Sequence, residues 1–179
     1  MSNLQQGFTL WLTGLPCSGK TAIANQVAKE LKKRGLKVER LDGDIVRKSL
    51  TKDLGFSKED RFKNIERVTF VAKLLTRNGV IVIASFVSPY NEIRAMSRRE
   101  IGDFVLTYVK CPLDVCIERD NKGLYKKAIA GEIKNFTGIS HPFEEPINPE
   151  IIIETDKKSP EECRNTIIKK LEELGYLSK

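Results

Sequence analysis

The stretch Gly14-Leu15-Pro16-Cys17-Ser18-Gly19-Lys20-Thr21 constrains this chain more than any other. Glycines at the two ends of such a loop let backbone N–H groups converge on a phosphate without side-chain clashes. The helix that follows adds unpaired N–H groups and the positive end of its dipole. Lys20 has the reach for the β- and γ-phosphates, and the Thr21 hydroxyl is a ligand for Mg²⁺. The context agrees. Phe8 to Thr13 is a short, nearly continuous apolar run, as expected of a buried parallel strand. From Lys20 to Arg34, Ile23, Val27 and Leu31 recur every four positions on one helical face, and Gly35 stops the helix. The segment Gly14–Thr21, with Cys17 as a small filler, therefore reads as a phosphate-binding loop for a nucleoside triphosphate.

The same alternation continues. Strands are expected at Leu36–Leu41, Val80–Ala84, Phe104–Val109 and Glu150–Glu154. Helices are expected after Ser57, around Arg94 to Arg99, over Leu113–Arg119 and after Ser159. Ser57 and Asp60 look like a helix start, and Ser159-Pro160-Glu161-Glu162 like a fuller one. Strand alternating with helix predicts an α/β, three-layer P-loop NTPase fold, with a five-stranded parallel sheet covered on both faces. The chain reads as one domain over 1–179. About 120–149 breaks the rhythm with an irregular, Lys-rich segment, which predicts a lid.

Strand ends supply further candidates, because ligands in open parallel sheets lie beyond the carboxyl ends of the strands. Asp42 and Asp44 follow the second strand, where they are placed to hold Mg²⁺ and to act as a base on an acceptor hydroxyl; a simple Asp-Gly turn is the other reading. Val87 and Ser88 follow the third strand; Ser88 reads as a covalent acceptor, a substrate contact or a helix cap before Pro89. Arg61 and Asn64 lie three apart on one helix face, a place for an anion or for an exposed mixed-charge surface. Arg119 to Lys127 is basic and Gly-containing, as suits a lid over phosphates.

Composition narrows the partners. The net charge is +7, but acids interleave with bases almost everywhere, as in Lys58-Glu59-Asp60-Arg61, which argues against a nucleic-acid face. The cysteines Cys17, Cys111, Cys116 and Cys163 form no CxxC pair and lie far from His141, so a zinc site is not expected. No run approaches the ~20 apolar residues of a membrane span, and Met1 to Gly7 lacks a signal-peptide pattern. A cytoplasmic protein is expected.

Five blocks together resemble the adenylylsulfate (APS) kinase family. They are Leu41-Asp42-Gly43-Asp44 with Arg47; Leu54-Gly55-Phe56-Ser57 with Asp60, Arg61 and Asn64; Val80 to Tyr90; Lys122 to Ala128; and Gly131 to Ile139. The resemblance runs from Phe8 to the final helix. It implies phosphoryl transfer from ATP to the 3′-hydroxyl of adenosine 5′-phosphosulfate, with Mg²⁺ and a homodimer. Carried over, Phe56 and Phe136 sandwich the APS adenine. Arg47, Arg61, Asn64, Asn135, Val87 and Ser88 contact that substrate, and Arg119 lies against the ATP adenine. Asp44 orients or deprotonates the hydroxyl, Asp42 and Thr21 hold Mg²⁺, and Lys122 stabilises the transferring phosphoryl. Ser88 matches a position described as a phosphoserine intermediate, but direct in-line transfer is the expectation here. Ile45 stands where Asn is typical and Ile129 where Arg is typical. A different nucleotide acceptor, such as cytidine diphosphoramidate, is the alternative reading.

Overall fold

The computed structural model describes residues 5–178. The start of the N-terminal stretch read for targeting signals lies outside the described residues. From β1 (Thr9–Thr13) the chain passes through the Gly14–Gly19 loop into α1 (Lys20–Lys33), β2 (Val38–Asp42) and the short α2 (Gly43–Val46). Next come α3 (Lys58–Arg77), β3 (Ile81–Ser85), α4 (Asn91–Ile101) and β4 (Phe104–Lys110). The remaining elements are α5 (Leu113–Glu118), α6 (Leu124–Ile129), β5 (Ile151–Glu154) and α7 (Pro160–Glu173). The five strands are all parallel, in the order β2-β3-β1-β4-β5. β1 sits at the centre, where the strand order changes direction, so the loop at its carboxyl end opens into the crevice where α/β sheets bind ligands.

Period-two alternation in β1 divides the core. Phe8, Leu10 and Leu12 face α1 and α7, packing with Ile23, Val27, Leu31, Ile167 and Leu171. Trp11 points to the opposite layer, against Ile65 and Val68 of α3, Ile93 of α4 and the Phe86 and Phe104 rings. Each fully buried Leu, Ile or Phe side chain contributes about 1.5–3 kcal/mol, so these two apolar layers clamp the sheet from both sides. Thr9 stays satisfied between them through its hydroxyl contact with Thr76 at 2.8 Å.

The expected strands and long helices are present, with ends moved by one or two residues. Three local readings change. The Asp42-Gly43-Asp44 turn is the start of α2, with Asp42 capping it by accepting from the Asp44 N–H. The irregular 120–149 segment contains α6, which Asp120 anchors by accepting from the Leu124 and Lys126 N–H groups at 2.9 and 3.1 Å. Ser57 caps α3, but the Asp60 carboxylate turns to the Gly55 N–H at 3.1 Å instead of back to Ser57, so the capping is one-sided. At Ser159 and Glu162 the reciprocal bonds both form.

Candidate active site

The loop after β1 is shaped by close approaches. A Cβ on Gly14 would lie 2.5 Å from the Val109 carbonyl oxygen, and Gly19 has φ 99°, so both positions need glycine. Cys17 also adopts a left-handed φ of 61°. Its thiol is pushed up, first by burial and then by Asp120, so it is held as the unreactive thiol. Lys20 curls back into the loop, donating to the carbonyls of Gly14 at 3.0 Å and Leu15 at 2.6 Å. Burial lowers its pKa to about 8, so below that pH the ammonium is charged and is held on those two carbonyls.

Asp42 is the hub of the polar site. Its Oδ2 accepts from the Thr21 hydroxyl and from the Ser85 hydroxyl, each at 2.9 Å, and its Oδ1 accepts from the Asp44 N–H at 3.0 Å. The arrangement follows from sheet register, because Asp42 and Ser85 are direct partners at the ends of β2 and β3. Burial pushes the Asp42 carboxyl up, but the Thr21, Ser85 and Asp44 donors, with Arg40 nearby, outweigh it and hold the group below its usual range. Thr21 and Asp42 thus offer adjacent hard oxygen donors, one of them a stable anion, which fits Mg²⁺. Asp44 is exposed and pairs with Lys122 of the lid, whose pKa is raised chiefly by that bond.

A second cluster lies on α3 and its approach. The Arg47 guanidinium stacks over the Phe56 ring at 4.3 Å and donates to the Leu54 and Gly55 carbonyls. Arg61 lies 5.7 Å from the same ring, donates to the Phe56 carbonyl at 3.0 Å and reaches across to the Asn135 carbonyl at 2.7 Å. It therefore ties Phe56 to the turn that carries Phe136. Arg61 and Asn64 are buried, not on an exposed charged face. The Asn64 side chain accepts from Thr51 at 2.7 Å, and Asn135 is engaged through its backbone carbonyl. Phe56 is 55% exposed, an aromatic face open for stacking. Phe136 packs edge-on to Tyr125, which in turn donates to the Pro16 carbonyl at 3.0 Å and so fastens α6 to the phosphate loop.

Ser88 does not cap a helix. α4 begins at Asn91, and the Ser88 hydroxyl is buried, accepting from Trp11 Nε1 at 3.1 Å and donating to the Thr13 hydroxyl at 3.0 Å. The Val87 carbonyl accepts from Thr13 at 2.8 Å. Arg119 is fixed on the Thr155 carbonyl at 2.8 Å, and the Thr155 hydroxyl donates to the Ser18 carbonyl at 2.8 Å. Ser85, Thr155 and Tyr125 were not singled out in the sequence. For Ser85 and Thr155 the available signal was position, each lying at or just past the carboxyl end of a strand. Ile45 and Ile129 are 63% and 59% exposed.

A phosphate loop at the end of a central parallel strand, an Asp hub joined to its Thr, and a basic segment bonded to the loop and to Asp44 define a P-loop kinase. The family model for adenylylsulphate kinase matches residues 6–154. An adenylyl-sulfate kinase of Rippkaea orientalis is 60% identical over 98% of this chain and 97% of its own length. A probable adenylyl-sulfate kinase of Pyrococcus abyssi is 52% identical over 96% and 99%. Among solved structures, the Mycobacterium tuberculosis APS kinase in complex with AMPPNP and APS superposes with a TM-score of 0.91 at 41% identity, covering 94% of this chain and 99% of that one. The chain belongs to the adenylylsulfate kinase family and is an ATP-dependent kinase.

Proposed function

We propose that the chain transfers the γ-phosphoryl of ATP directly to the 3′-hydroxyl of adenosine 5′-phosphosulfate, giving 3′-phosphoadenylylsulfate and ADP. The observation that carries the acceptor assignment is Arg61, which joins Phe56 to the Asn135-Phe136 turn and lies with Arg47 beside one aromatic face. Two aromatic rings suit a purine, and two guanidinium groups suit an adjoining phosphosulfate.

In this reading the loop Gly14–Thr21 cradles the donor phosphates, and Lys20 exchanges its loop carbonyls for phosphate oxygens. Thr21 and Asp42 would hold Mg²⁺, which when bound neutralises charge on the phosphates. Asp44 takes the proton of the attacking hydroxyl, and Lys122, released from Asp44, meets the transferring group. Arg119 and Thr155 border the donor base. Asn64, Val87 and Asn135 complete the acceptor side. Ser88 serves there through its backbone, since its hydroxyl is enclosed by Trp11 and Thr13; this supports direct transfer. The reading treats the chain as one kinase domain with its lid at about 120–149. It further includes a cytoplasmic homodimer. Among the described residues no helix is long and apolar enough to cross a membrane, and a relative from Thiobacillus denitrificans, of whose length this chain covers 30%, is described as hexameric.

Product analysis tests it. After incubation with ATP, Mg²⁺ and APS, ³¹P NMR is expected to show a new 3′-phosphomonoester on a nucleotide that retains its phosphosulfate. Absence of that resonance, or its appearance only with another nucleotide such as cytidine diphosphoramidate, contradicts the acceptor assignment.

A further inference from the structure

The return half of the lid reaches the body of the protein through a bracket at the start of α4. Arg94 is buried, 3% exposed, yet among the described residues makes no bond to a carboxylate. Its Nη1 donates to the Ser88 carbonyl at 2.5 Å, and its Nη2 donates to the Glu144 carbonyl at 2.6 Å and the Asn91 side chain at 2.7 Å. The Asn91 amide donates to the Glu145 carbonyl at 3.0 Å, and its oxygen accepts from the Ile147 N–H at 3.1 Å. The Glu144 N–H donates to the Pro89 carbonyl at 2.8 Å, while the Glu144 carboxylate accepts from the Asn91 N–H at 2.6 Å. Tyr90 Oη and His141 Nε2 lie 2.6 Å apart.

Two features set this apart from ordinary packing. Among the described residues this buried cation bonds only to neutral oxygens and its Nε has no partner, an expensive way to stabilise a core that an apolar side chain would fill at less cost. A guanidinium, however, fixes several carbonyls in one rigid fork, which neither an apolar group nor an ammonium can do. The carbonyls it fixes belong to two different acceptor-side segments. One is Ser88, whose φ of 36° is a left-handed conformation that needs outside support. The other is Glu144, a few residues after the turn in which the Phe136 carbonyl accepts from the Ile139, Ser140 and His141 N–H groups. The opposite flank of this segment borders an open groove of about 650 Å³ beside Tyr108, Cys111 and Leu113, where its polar contact is the longer bond from the Tyr108 hydroxyl to the Glu145 carboxylate at 3.4 Å.

We infer that Arg94, braced by Asn91, is a positioning residue for the acceptor nucleotide, holding the Val87-Ser88 loop and the Phe136 turn at a fixed separation. The inference rests on the proposed acceptor reading and deepens it. The Arg94 pKa is drawn down by burial only to about 10, so the fork is charged throughout the neutral range.

The test uses R94K, R94M and the partly exposed N91A, in the full chain. Each is expected to raise KM for APS about tenfold or more, R94M most and R94K less, while KM for ATP stays within about twofold. A merely structural role predicts a lower active fraction with both KM values unchanged, and that result overturns the inference. Hydrogen exchange without any substrate supplies the independent arm. Amides of residues 137–147 are expected to exchange at least about tenfold faster in N91A, with β1 and α1 unaltered; unchanged exchange there overturns the bracket even if R94M fails to fold. If the wild-type protein does not turn over APS, the functional reading fails, whereas the exchange experiment still decides whether the bracket exists.

Discussion

Asp42 draws together what three separate parts of the chain contribute. Thr21 comes from the loop helix, Ser85 from the neighbouring strand and the Asp44 N–H from the next turn. Because these donors hold the folded carboxyl below its unfolded value of 3.8, the stability they supply is complete above that value and is lost as pH falls through the depressed one. The stability difference between wild type and Asp42→Asn is therefore expected to shrink as denaturant titrations move below pH 4. Lys20 gives the opposite kind of signal. With its free-protein pKa near 8, binding of an anionic triphosphate restores its charge. ATP binding above pH 8 is expected to take up a proton, seen as buffer-dependent heats in calorimetry, and Lys20→Ala to abolish this and lower kcat on the order of 10²–10³. Ser88→Ala should keep substantial turnover but lose about 1–3 kcal/mol of stability, since Trp11 Nε1 is left without its buried partner. Complete loss of turnover with APS still bound would instead favour a phosphoserine route. Types and spacings made Lys20, Thr21, Asp42 and Asp44 legible in the sequence. What no spacing reveals is the Asp42–Ser85 bond, which depends on strand register between residues 43 apart.

The long elements were readable because their periodicity is long. α1, α3 and α7 each bury a recurring stripe, and β1 and β3 are apolar on both faces. α2 and α6 have four and six residues, too few turns for a 3.6-residue pattern to stand out. α6 is fixed instead by Asp120 and by Tyr125 packing under the phosphate loop. The buried character of Arg61 and Asn64 was likewise invisible from sequence, because their partners are distant in the chain: the Asn135 carbonyl, 74 residues away, for Arg61, and the Thr51 hydroxyl, 13 residues away, for Asn64. Capping can be checked directly. Ser159 both accepts from Glu162 N–H and receives that side chain in return, so Ser159→Ala should cost about 1 kcal/mol in chemical denaturation without altering KM for either substrate.

Taken together, the strand order puts the donor loop at the centre of the sheet and the Asp42 hub two strands away, with Ser85 at the end of the strand between them. The 120–149 segment then joins them: Lys122 meets Asp44, Tyr125 meets Pro16, and the Asn135 carbonyl meets Arg61. In the proposed reading these contacts bring donor and acceptor sides to one crevice, as in-line transfer requires. The departures at Ile45 and Ile129 sit on exposed surface, outside these three contacts. The most direct measurement is the initial rate of ADP release by the purified protein with ATP and Mg²⁺, with and without APS. Saturable ADP release that depends on APS is the expected result. A rate with APS no greater than the rate without it would contradict the assignment of this crevice to adenosine 5′-phosphosulfate.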